Sequence, residues 1–233
     1  MRILHATFLA GSILLFGCGN DCIKGEGDPE RRVLEIAPFQ GLIVEGPVEV
    51  RIHRSDTQRV EIEAQPNIMD LVDKEVRNGV WSIRTTQCYK SGDDVIVHLQ
   101  VPTLRSVSIQ GSGDVISEDQ FDSDEMTLEI AGSGDLSVVV NALKVNASIT
   151  GAGDLEVLGM CQEFTGIIHG SGDIKAGDLQ CATAKADVIG SGDINIHVTD
   201  ALQANVTGSG NIRYKGDPPS VNKNVTGSGE ITD

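Results

Sequence analysis

One four-residue phrase recurs through the second half of this chain and limits what it can fold into. Gly111-Ser-Gly-Asp114 returns as Gly132-Ser-Gly-Asp135, Gly151-Ala-Gly-Asp154, Gly170-Ser-Gly-Asp173 and Gly190-Ser-Gly-Asp193, then as Gly208-Ser-Gly-Asn211 and Gly227-Ser-Gly-Glu230. Successive copies lie 21, 19, 19, 20, 18 and 19 residues apart. The flanks of each copy alternate apolar and polar residues, as in Ser106–Ile109 before the first glycine and Asp193-Ile-Asn-Ile196 after a later one. A period of two marks a strand with one buried face. The glycines supply turn conformations that other residues enter only with strain. No unit carries a ten-residue apolar pattern at helical spacing.

A unit of about 19 residues cannot bury its apolar face alone. Stacking the units does so, because each coil pairs with the next along a parallel ladder and the inward side chains form one continuous core. The expected class is therefore all-β, a single-chain parallel β-helix or β-solenoid with coils of about 19 residues. At about 4.8 Å per coil, seven coils make a prism roughly 30 Å long. The competing arrangement is a sandwich of β-hairpins turning at each glycine phrase, but one turn per period favours the solenoid.

The preceding segment follows the same plan more loosely. Leu42-Ile-Val-Glu-Gly46-Pro-Val-Glu-Val50 imitates Val107-Ser-Ile-Gln-Gly111-Ser-Gly-Asp-Val115, and further strand candidates lie at 59–63, 80–84 and 95–101. Residues 68–76 form the single stretch that suits a short helix. We read 33–105 as irregular first coils or a β-rich cap and 106–233 as the regular repeats, together one solenoid over 33–233.

The N-terminus reads as an export signal. Arg2 gives a positive start, Ile3–Phe16 a mainly apolar run, and Leu15-Phe16-Gly17-Cys18 resembles the bacterial lipobox, although the bulky Phe16 is unusual there. This reading makes 1–17 a signal peptide, Cys18 the lipidated new N-terminus and the polar, Gly-rich 18–32 a flexible tether. The expected location is the cell envelope, at the outer membrane.

The full chain carries 34 acidic against 18 basic residues, a formal charge of −16. Losing Arg2 with the signal leaves 17 basic residues and −17. Nucleic-acid binding needs clustered Lys and Arg and is disfavoured. There is no Walker loop, no dinucleotide fingerprint and no His-Glu-x-x-His. The serines of the glycine phrase precede no helix, so they read as turn residues.

Stacked in register, Asp114, Asp135, Asp154, Asp173 and Asp193 would form a column of like charges. They could be compensated by calcium held between carboxylates and turn carbonyls, or by hydrogen bonds from glycine-turn N–H groups. The second reading is favoured, because Asn211 keeps the hydrogen bonds without the charge, and no cofactor is otherwise implied. Cys161 and Cys181 lie one coil apart and could bridge adjacent rungs, leaving Cys22 and Cys88 to pin the tether.

The lipobox, irregular β-rich start and repeated Gly-Ser-Gly-Asp phrase together resemble the GIN-domain family, known as auto-transporter adhesin heads. The resemblance covers about residues 33–233. It implies a parallel solenoid in a Gram-negative envelope; the chain departs from an autotransporter in that a lipid at Cys18 would have to replace the membrane barrel as anchor. The functional expectation is a non-enzymatic envelope lipoprotein, an adhesin or matrix-binding module with a surface glycan or protein as ligand. The alternatives are a polysaccharide-active β-helix enzyme and a periplasmic signalling accessory. The few mature aromatics, among them Trp81 and Tyr214, disfavour the enzyme.

Overall fold

The computed structural model describes residues 22–92 and 94–233; residues 1–17, read above as a signal peptide, and Cys18 lie outside them. The regular half is a parallel solenoid. Long strands, Asp114–Gly132, Leu136–Gly151, Leu155–Gly170, Ile174–Gly190 and Ile194–Gly208, each run nearly a full coil and pair in parallel with the next. The leading glycines align one above another, from Gly111 against Gly132 to Gly208 against Gly227.

Unequal spacing in the sequence is absorbed at one part of the coil. Register shifts fall between Ile116 and Gln120, Glu156 and Gly159, and Ala176 and Gln180, with one more just beyond, between Cys181 and Thr183. The strand leading into each glycine stays paired without a break. A bulge there costs little, whereas a slip at the glycines would turn every inward side chain outward.

The core is a set of apolar columns. Leu136, Leu155, Ile174, Ile194 and Ile212 stack in one, and Ile109, Ile130, Ile149, Ile168, Val188 and Val206 in another, all buried. Volume is balanced between neighbouring positions: the large ring of Phe164 lies where a side chain at Gly166 would otherwise go. In the strand Ser220–Gly227, Lys223 takes the register position held by buried Ala204 one coil earlier. Its ammonium lies 4.6 Å from the centre of the Tyr214 ring.

The first half builds coils out of sequence order. Gly41–Glu45 and Val48–Arg54 lie parallel to Ser106–Gly111 and to the start of Asp114–Gly132, with Gly46 and Pro47 at the corner. A second coil, Val80–Ile83 and Val95–Val101, stacks on the opposite side of that one. The stack therefore runs 80–101, 41–54, then 106 onward, and residues 102–105 cross back over the older coil. Beyond the outer coil the pairing becomes antiparallel: Arg59–Ala64 on Val95–Val101, then Glu30–Leu34 on Arg59–Ala64. All these parts share one buried cluster, from Leu34 to Ile212.

Two expectations change. The helix is one turn, Pro66–Met69, not a run to residue 76, since Val76–Arg77 pairs with Val80–Ile83 as a strand. The segment expected to be a flexible tether is fastened from Cys22 onward. Ile23–Lys24 pairs with Tyr89–Lys90, the Glu26 N–H donates to Asn67 Oδ1 at 2.9 Å, and residue 30 already begins a strand. Polar composition suggested freedom, but the anchoring partners are distant in sequence. No helix among the described residues is long and apolar enough to cross a membrane.

Candidate functional site

The sequence pointed to the aspartate column. In the structure each of these carboxylates accepts the main-chain N–H of its counterpart one coil on. Asp135 N–H donates to Asp114 Oδ1 at 3.0 Å, Asp154 to Asp135 at 2.9 Å, Asp173 to Asp154 at 3.2 Å and Asp193 to Asp173 at 2.8 Å. Asn211 continues the chain onto Asp193 at 2.8 Å, and Glu230 onto Asn211 at 3.1 Å. The donors are thus the acidic residues' own N–H groups, where glycine-turn donors were expected. The glycine-turn N–H groups instead reach the preceding glycine carbonyl, as Ser133 does to Gly111.

Cations take the second oxygen at two rungs: Lys175 lies 2.7 Å from Asp154 Oδ2, and Arg213 lies 3.0 Å from Asp193 Oδ2. Desolvation works against the charged form of Asp193, but the Asn211 N–H, the Arg213 guanidinium and the Asn211 amide outweigh it. Together they hold its carboxyl below the ordinary Asp range. The hydrogen bond to Asp154 raises the Lys175 ammonium above its usual value. Among the described residues no three His, Cys, Asp or Glu side chains converge in a way that could hold a metal, and the column's Oδ1 atoms are already occupied as acceptors. The column works as a coil-to-coil clamp.

The cysteines divide. Cys22 and Cys88 form a disulfide, with Cα atoms 4.8 Å apart, that ties the start of the described chain to the cap. Cys161 and Cys181 are register partners pointing into the core, and they remain free thiols, not the rung-to-rung bridge expected. The hydrogen bond that the Cys181 thiol makes to Cys161, together with burial, pushes that thiol far up. Thiolate is the species that exchanges, so suppressing it leaves Cys181 inert.

The outer surface carries further ladders of amide on carboxylate, such as Asn141 on Asp122 at 3.2 Å and Asn146 on Glu125 at 2.8 Å. His53 lies 3.5 Å from Glu118 and 3.4 Å from Asp119 on an exposed edge. A cavity of about 590 Å³ opens where residues 102–105 cross the older coil, bordered by Phe39, Gln40, Asn78, Thr103, Arg105 and Ser106. Sequence reasoning missed it, because the crossing exists only once the coils are stacked out of order.

Comparison with known proteins agrees with this geometry. The profile of a family described as "Putative auto-transporter adhesin, head GIN domain" matches residues 38–218. A solved "putative adhesin" from Bacteroides fragilis is 25% identical with a TM-score of 0.85, covering 90% of this chain and 99% of its own. A "putative lipid binding protein" from Parabacteroides distasonis is 26% identical, TM-score 0.74, covering 90% and 98%. A "putative adhesin" from the same organism is 26% identical, TM-score 0.74, covering 91% and 99%. No curated protein matches.

Proposed function

The chain belongs to the head GIN-domain family, and from that premise we propose that it is a non-enzymatic envelope adhesin, a surface- or matrix-binding module anchored through lipid at Cys18. The observation that carries the reading is the architecture. The interior is filled by side chains from end to end, so what the molecule can offer lies on its outside: long parallel faces with ladders of carboxylates, amides and hydroxyls. A rigid rod of that kind holds contact groups at fixed intervals away from a membrane, and repeated weak contacts gain strength by multivalency. The names carried by the Bacteroides and Parabacteroides structures support the same use.

Beads coated with the mature protein should be retained on mucin- or matrix-coated glass and released by excess soluble protein. Retention no better than that of albumin-coated beads would sink the adhesive reading. In the native cell, Cys18→Ser should abolish palmitate labelling and shift the protein out of the membrane fraction.

A further inference from the structure

Nine arginines lie among the described residues, and eight of them hold a carboxylate within ion-pair distance, from Arg31 on Glu63 to Arg213 on Asp193. Arg105 alone has no such partner. In a chain with 34 acidic residues this is a selective vacancy. Arg105 borders the cavity of about 590 Å³ at the crossing strap, and none of the residues lining that cavity is Asp or Glu.

The site is rigid. The Arg105 N–H donates to the Gln40 carbonyl at 2.8 Å, and the Arg105 carbonyl accepts from Thr127 at 2.9 Å, so its root is fixed between two coils. Gln58 secures one wall by donating to the Ile36 and Ala37 carbonyls and accepting from the Phe39 N–H. Phe39 is buried and packs on Trp81, with ring centres 5.6 Å apart. The side chains of Gln40, Asn78, Thr103 and Ser106 make no hydrogen bond among the described residues, so they stand ready as donors and acceptors.

We propose that this cavity is the adhesin's ligand site and that it takes a glycan bearing a single carboxylate. The inference rests on the adhesive reading above. A guanidinium fork matches a carboxylate in two-point contact, while amides and hydroxyls around it match sugar hydroxyls. The cavity volume falls in the usual range for small-molecule sites, about 300–1,000 Å³. One unpaired arginine bordering a cavity without acidic lining suits one carboxylate; the strongly acidic molecule around it disfavours a polyanion.

The test is calorimetric titration of the mature protein with sialyllactose, with glucuronosyl-lactose and with lactose. The two acidic probes separate a sialate from a uronate source of the same carboxylate. At least one should bind about tenfold or more tightly than lactose, and Arg105→Gln should remove that advantage. Arg105→Lys should keep part of it. Lys144→Gln, which removes the same charge elsewhere, should change nothing, and thermal unfolding should show every variant folded. Acidic probes binding no better than lactose, or undiminished by Arg105→Gln, would overturn the site. Bead retention persisting in either case would leave the adhesive reading standing, so the two can fail separately.

Discussion

Glycine in the repeated phrase answers two separate demands. Gly151 has φ of +138°, where a side chain is strained, and a Cβ there would also meet the Gly132 carbonyl; Gly153, without that φ, is needed because a Cβ there would fall inside contact distance of the Gly134 carbonyl. Gly153→Ala should therefore destabilise by roughly 2–4 kcal/mol in urea unfolding. Gly177→Ala meets nothing within 4 Å and should be neutral or stabilising by up to about 1 kcal/mol; equal effects at the two positions would refute the close-packing argument. The acidic residue that follows acts through charge as well as shape. Because the folded carboxyl of Asp193 is held below its ordinary value, its contribution is fully present above the unfolded-state value. That contribution is lost as pH falls through the folded one, below about pH 4. Asp193→Asn should flatten this part of the stability profile in acid denaturation. The recurrence of Asp was legible in the sequence, but not its donor: register turns a residue's own N–H toward its neighbour's carboxylate, and composition does not reveal that.

Among the elements, the regular coils were readable because each repeats the same local pattern, and the bulges that absorb spacing differences leave that pattern intact. The cap was not. Nothing local in Val95–Val101 says that it stacks outside Val48–Arg54 and not after it; that order depends on the excursion through residues 55–79. Nor does a Gly-rich acidic segment announce that Ile23 will pair with Tyr89. The Cys22–Cys88 bond spans 66 residues and closes this fastening. Reducing it, or replacing both cysteines with serine, should lower stability by about 2–4 kcal/mol. The earliest protease cuts should then appear within 22–34, and an unchanged digestion pattern would mean that strand pairing alone holds the segment.

For the molecule as a whole, a chain of this charge solves two problems with one device. Stacking would set like charges one coil apart; the aspartate clamp uses them as acceptors, and amide ladders and scattered cations offset others. The result is a rigid acidic rod whose one arginine without an ion pair, among the described residues, stands at the crossing strap. Its family and its solved relatives place it with adhesin-type solenoids, and the proposed lipid at Cys18 would set that rod on the envelope. Protease shaving of intact cells tests this directly. We predict that the solenoid is removed from unbroken cells while periplasmic markers survive. Complete protection until the envelope is permeabilised would place it inside and contradict an adhesive role.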